Sequence, residues 1–261
     1  MTASHADTPS HRRPLARAAR IGWTVVTILV VETLLCGAAI LPIVLIWSGL
    51  ASVTGAGSPA RLVLVSLAIV PSYVLFALLF MLLSGLAIRI LRWHTPPGVA
   101  TRLADMDWPL LDWARYMTAI HLVRLTAGAL FRGSPIWTMY LRLAGARLGR
   151  RVYVNSLALT DYNLLEFGDD VVIGDGVHLS GHTVEHGVLS TARVRLGRNV
   201  TIGVGSIVDI GVEIGDHCQV GALTLVPKHS RLEAGAVYAG IPAHRLGRPA
   251  GQAWRHPRSI N

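Results

Sequence analysis

The chain has 261 residues, a length that suits one or two domains. Only 15% of them are charged while 52% are hydrophobic, and the mean hydropathy is +0.48, which excludes both a disordered chain and an ordinary soluble domain. The net charge of +9 is almost wholly arginine, and because the arginines are scattered beside apolar runs it reads as membrane-flanking charge rather than as a nucleic-acid face.

Arg12, Arg13, Arg17 and Arg20 lead into a first apolar run, Trp23 to Gly49, which holds 27 residues and one charge, Glu32. At 1.5 Å per residue such a helix is ~40 Å long, enough to cross a bilayer with tilt. Leu62 to Ile88 is as long and uncharged, and the short Gly- and Ser-rich connector ASVTGAGSPAR makes the pair a helical hairpin. A secretory signal is excluded by the length of the first run and by the second run that follows it. Arg89, Arg92 and Arg102 follow the second run, and only Arg61 lies between the two, so the positive-inside rule puts both termini on the cytoplasmic face of a cell membrane. Glu32 is either a functional intramembrane acid or a carboxyl hydrogen-bonded to the partner helix at Ser84 or Tyr73.

Residues 91–145 interleave Trp93, Trp108, Trp113, Tyr116, Trp137 and Tyr140 with arginines. Amphipathic rings and arginine stems suit helices lying in the headgroup layer; packing against a soluble domain is the alternative, and the two are compatible.

From Leu148 onward an aliphatic residue, usually followed by Gly, recurs every six positions, in LGRRVY, FGDDVV, IGDGVH and LSGHTV, and then in LGRNVT, IGVGSI and their successors. Leu196, Ile202, Val208, Ile214, Val220, Val226 and Leu232 hold that period unbroken, which neither a helix nor a plain strand produces. It predicts a parallel β-helix over residues 146–246, each hexad one face of a triangular prism and three hexads one coil. Breaks at 155–166 and 184–193 read as loops expelled from the prism, the second a mobile one, and 247–261 reads as a flexible tail.

In HLSGHTVEHG the histidines His178, His182 and His186 recur every four residues. His182 stands where the chain leaves the coil, a position suited to a general base, with Glu185, Asp161 or Asn163 placed to orient it. Solvated histidines at a corner remain the alternative. Cys218 falls inside an unbroken coil and reads as packed; with Cys36 far away, no disulfide framework or cysteine zinc cluster forms. The chain carries no G-x-S-x-G and no Walker-type loop.

The stretch from Leu196 to Leu246 resembles the C-terminal half of hexapeptide-repeat acyltransferases, with His182 and the exit Ala239-Gly240-Ile241-Pro242-Ala243 at the matching places and Ile241 where that family usually has Asn. Thr160-Asp161-Tyr162, Phe167-Gly168-Asp169-Asp170 and Gly181-His182 are similar to one unit of the membrane-embedded C-terminal region of polylysine-synthetase-like nonribosomal peptide synthetases. The resemblance implies a left-handed β-helix, a homotrimer with sites in grooves between neighbouring prisms, no metal and no permanently bound cofactor. The donor it implies is a thioester, acetyl-CoA or acyl-CoA, or one on a carrier protein. It puts donor contacts on the later coils, at Gly203, Ser206, Ala222, Thr224 and Lys228. Competing readings are amide formation from a carrier-bound aminoacyl thioester, a β-helical carbonic anhydrase using His182 and His217, and a non-catalytic trimeric membrane scaffold.

Overall fold

The computed structural model describes residues 12–53 and 58–246; the expected N-terminal basic segment before Arg12, the middle of the connector and the tail 247–261 lie outside the described residues. Helix α1 (Arg12–Val53) and helix α2 (Pro59–Ile90) form an antiparallel pair. Ser58 caps α2, its hydroxyl accepting from the Arg61 N–H at 3.2 Å, and Pro59 occupies the first turn, where no N–H is needed. Trp47 Nε1 donates to Ser72 Oγ at 2.8 Å, tying the two helices. Both are long and apolar enough to cross a membrane, and most of their large side chains, Leu34 and Leu67 among them, face outward. Glu32 is buried between the helices, yet its carboxyl has no hydrogen-bond partner among the described residues, Ser84 included. Tyr73 is not its partner either: its phenol donates instead to the Thr126 carbonyl.

The chain then makes a short strand β1 (Ala100–Arg102), helix α3 (Trp108–Val123), a π-helical turn over Arg124–Gly128, the short α4 (Ala129–Phe131), and α5 (Pro135–Leu143). Their rings pack inward: Tyr116, Trp137 and Tyr140 are buried in one continuous core with the β domain. Leu125, Leu130 and Met139 stay exposed on the far side, so packing and an outward apolar face coexist.

The β domain is a stack of three-sided coils. One face is β2 (Arg147–Leu148), β4 (Leu165–Phe167), β9 (Val194–Leu196), β12 (Glu213–Ile214) and β15 (Arg231–Leu232). The second is β3 (Tyr153–Val154), β5 (Val172–Ile173), β10 (Thr201–Ile202), β13 (Gln219–Val220) and β16 (Val237–Ala239), closed by antiparallel β17 (His244–Arg245). The third is β6 (His178–Leu179), β11 (Ile207–Val208) and β14 (Leu225–Val226). Parallel partners fall eighteen residues apart (Thr201 to Gln219, Ile207 to Leu225, Glu213 to Arg231), three hexads per coil. All seven residues of the six-residue period are buried, and so are Val200, Val212 and Cys218, two positions before a period residue, so each face points two side chains inward.

The two breaks differ from expectation. The first is no expelled loop: Arg147 pairs with Glu166 and Tyr153 with Val172, nineteen residues apart instead of eighteen. One extra residue is absorbed in a 3₁₀ turn at Tyr162–Leu164, and Leu159, Asp161, Tyr162 and Leu164 are buried. The second is an ordered hairpin of β7 (His182–Glu185) and β8 (Val188–Thr191), reversed at His186-Gly187 with both residues at positive φ, 49° and 74°. Strand β1 adds to β8, so the segment after the apolar helices completes a three-stranded antiparallel sheet. Ladder hydrogen bonds therefore replace the mobility expected there.

Charge is distributed by face. Outward residues on the first face alternate as Arg147, Glu166, Arg195, Glu213 and Arg231, with ion pairs between neighbours. These arginines belong to the β domain and not to a membrane flank. The corresponding outward residues of the second face, Tyr153, Val172, Thr201, Gln219 and Val237, carry no charge. At the two ends of the stack, α5 supports the lowest coil, with Trp137 Nε1 donating to the Ser156 carbonyl at 3.2 Å, while β17 and residues 240–243 lie along the outer strands of the top coil.

Candidate active site

His182 opens β7 at the corner between the third and first faces, and Asp161 occupies the same corner one coil below. His182 Nδ1 lies 2.5 Å from Asp161 Oδ2. Asp161 is fully buried in the left-handed region at φ 48°, and its other oxygen accepts from Thr95 Oγ1 at 2.6 Å. Both carboxylate oxygens are thus engaged, which is what a buried charge requires. With Asp161 accepting from Nδ1–H, the imidazole keeps Nε2 as its basic nitrogen. Gly181 allows the close approach: a Cβ there would stand 2.8 Å from the Asp161 Cβ and 2.9 Å from the Leu164 Cβ.

Two further contacts fix the ring. The Ser180 hydroxyl accepts from the His182 N–H at 3.2 Å and donates to the His182 carbonyl at 2.7 Å, locking the backbone where the hairpin leaves the coil. Trp113 on α3 meets the imidazole edge-on, with centroids 5.0 Å apart and planes at 68°. Its indole N–H is buried with no hydrogen-bond partner among the described residues. The His182 side chain keeps 19% of its surface exposed. Burial lowers the pKa of neighbouring His178, outweighing Asp209, and the charges of His182 and Arg124 push the same way.

Of the three expected orienters, only Asp161 reaches His182. Glu185 is carried away along β7 and pairs with Lys228; that hydrogen bond and charge hold its carboxyl below the usual range. Asn163 instead binds the segment after α2, accepting from the Thr95 N–H at 3.2 Å and donating to the Thr95 carbonyl at 2.8 Å. His186 forms the hairpin tip. His217 sits on another corner beside Asn199, which separates it from His182, and among the described residues no group of three His, Cys, Asp or Glu side chains could hold a metal.

The expected donor residues divide between two corners. Gly203, Ser206, Ala222 and Thr224 stack between the second and third faces, whereas Lys228 lies on the His182 corner. Ser206 and Thr224 are buried, the Ser206 hydroxyl donating to the Gly221 carbonyl at 2.8 Å and accepting from the Thr224 N–H at 3.2 Å. A donor at that corner would meet backbone and the exposed side chains of Val204 and Leu223 and not these hydroxyls. Val204 and Leu223 thus present an exposed apolar ledge at that corner, and Lys228 is paired with Glu185.

Thr95, Trp113 and Ser180 were not among the candidates from sequence. Only Ser180 carried a signal, its place two residues before His182; the other two reach the site through helix packing that no local pattern encodes.

No family model matches the chain. Delta-poly-L-ornithine synthetase of Acinetobacter baumannii is 26% identical over 161 residues, covering 60% of this chain and 12% of that protein. Galactoside O-acetyltransferase of Escherichia coli is 35% identical over 103 residues, covering 36% of this chain and 50% of that protein. A solved galactoside acetyltransferase in complex with coenzyme A superposes with a TM-score of 0.44 at 20% identity, over 62% of this chain and 88% of that one. The chain's relatives are therefore hexapeptide-repeat acyltransferases and a poly-ornithine synthetase, in keeping with the resemblance in its sequence. The chain spans half the length or less of these curated relatives.

Proposed function

We propose that this chain is a membrane-anchored acyltransferase that moves an acyl group from a thioester donor, acetyl-CoA or acyl-CoA, to a hydroxyl or amine of a membrane-associated acceptor. The observation that carries the reading is the buried Asp161 carboxylate against His182 Nδ1, which holds Nε2 as the base. His182 Nε2 takes the acceptor's proton as its oxygen or nitrogen attacks the thioester carbonyl. The tetrahedral intermediate collapses, the carbon–sulfur bond breaks, and the imidazolium returns the proton to the departing thiolate. One backbone N–H at the Gly203–Ser206 corner, that of Val204, would hold the oxyanion, since the Gly203, Gly205 and Ser206 N–H groups already donate to the Val220, Asp175 and Gly203 carbonyls.

His182 and that donor corner stand at opposite edges of the third face. Four residues of extended chain between them span roughly 13 Å, too far for one reacting carbon to touch both. A site using both therefore needs two copies, which supports a homotrimer with shared grooves, and the uncharged second face is suited to contact another copy. We read the coil as left-handed, with residues 1–22 a basic cytoplasmic segment, 23–90 the membrane hairpin, 91–145 interfacial helices, 146–246 the acyltransferase domain and 247–261 a tail. In this reading the catalytic domain faces the cytoplasm.

A second reading is favoured by the poly-ornithine synthetase relative: amide formation from a carrier-bound aminoacyl thioester, which uses the same base and bond. Thiol release by the detergent-purified chain and its His182→Ala variant tests both, first with acetyl-CoA and then with a carrier-loaded aminoacyl thioester. Loss of about 10²-fold in the variant supports a general base. Undiminished turnover in His182→Ala rejects His182 as the base, and no turnover with either donor leaves a scaffold.

A further inference from the structure

Between the C-terminal half of α2 and α5 runs a groove of about 500 Å³. Leu78, Met81 and Leu82 form one wall, and Ile136, Met139 and Leu143 the other. Two arginines stand at its end, Arg89 in the last turn of α2 and Arg142 in the last turn of α5. We propose that this groove binds an anionic glycerophospholipid, its acyl chain between the helices and its phosphate on Arg89 and Arg142. The proposal rests on the membrane-spanning reading of α1 and α2.

The guanidinium groups are pre-ordered. Arg89 Nε and Nη2 donate to the Leu143 and Arg142 carbonyls, both at 2.8 Å, and Arg142 Nε and Nη2 donate to the Leu148 and Gly149 carbonyls. These carbonyls hold each side chain in one orientation but do not cancel its charge, and neither arginine has a carboxylate partner among the described residues. The Nη1 group of each is left to another acceptor, and a planar guanidinium with fixed orientation suits a phosphate.

The apolar part has the matching length. Leu78 lies eleven residues before Arg89, about 16 Å along the helix, which is half of a hydrocarbon core of roughly 30 Å. A chain anchored at the arginines would thus run through one leaflet. Gly85 sets the shape: a Cβ there would stand 2.5 Å from Leu143 Cγ, so only glycine lets α5 settle this close to α2. Leu82 and Met139 are exposed along the groove and provide apolar surface for the tail.

The test uses the full chain in bilayer nanodiscs, with photoactivatable acyl chains on phosphatidylglycerol or phosphatidylcholine and the labelled peptides mapped by mass spectrometry. Phosphatidylglycerol is expected to label the 78–82 and 136–143 segments about tenfold more than phosphatidylcholine, since each basic side chain adds attraction for an anionic headgroup. Arg89→Gln with Arg142→Gln should abolish the preference. Met139→Trp, an exposed position that needs no refolding, should lower labelling of the groove by both lipids. Equal labelling by the two lipids, or a preference that survives the arginine changes, overturns the proposal. Labelling of Leu29 to Leu45 by phosphatidylcholine reports the membrane reading separately: its absence overturns both, whereas its presence without preference in the groove overturns the lipid site alone.

Discussion

Asp161 and His182 lie 2.5 Å apart across two successive coils, though 21 residues of chain separate them. The contact exists because the extra residue of the lower coil turns Asp161 inward and the next coil opens into a hairpin at the same corner. If His182 is the base, Asp161→Asn should lower kcat about 10²-fold, because the amide no longer holds the imidazole with Nε2 basic. Thr95→Val should give a smaller loss. Thiol release measured across pH separates these from misfolding, which would abolish activity at every pH.

Trp113 holds the imidazole from the side of α3. Trp113→Leu should lower kcat by about tenfold to 10²-fold while leaving the melting temperature within a few degrees, since misplacing a base by a fraction of an ångström is enough. Steady-state kinetics beside a thermal melt check this.

Burial pushes the Cys218 thiol up from its ordinary 9.0 to about 11. Because the folded value is raised, the stabilisation is complete below pH 9 and is lost as pH rises through about 11. Wild-type chain should therefore lose stability in that window more steeply than Cys218→Ala, as read by urea unfolding at a series of pH values. A thiol reagent at pH 8 should leave Cys218 unmodified until the chain unfolds.

Ile202 points into the prism, whereas Arg198 pairs with Asp216 on the surface. Ile202→Ala should cost about 2–5 kcal/mol through the cavity it leaves. Arg198→Ala should change stability by under ~1 kcal/mol, because exposed ion pairs are screened. Chemical denaturation of the two variants against wild type measures the contrast.

The prism was legible because its inward positions recur at a fixed interval, so Leu196 to Leu232 announce the coil without any tertiary information. The hairpin was not, although HTVEHGVLST alternates about His186-Gly187, because its ten residues interrupt a stronger six-residue period that masks the two-residue alternation. Asp161 could be named only as one of three orienters, since one added residue in the coil decides which side chain faces the corner. Thr95 and Trp113 lie 87 and 69 positions before His182, and what brings them there is the docking of α3 and the strand β1, which depends on Asn163, Tyr116 and Ala144 and leaves no periodic trace.

A stack of parallel coils ends in rows of unpaired backbone groups, and such a row is a template on which another copy can polymerise. Here α5 blocks the lower end, and β17 with residues 240–243 covers two of the three outer strands at the upper end, with Arg231 and Arg245 placing charge at the remaining edge. Lengthening the stack by adding copies end to end is thereby obstructed, and lateral contact is left as the route by which copies of this chain can assemble without growing into a filament.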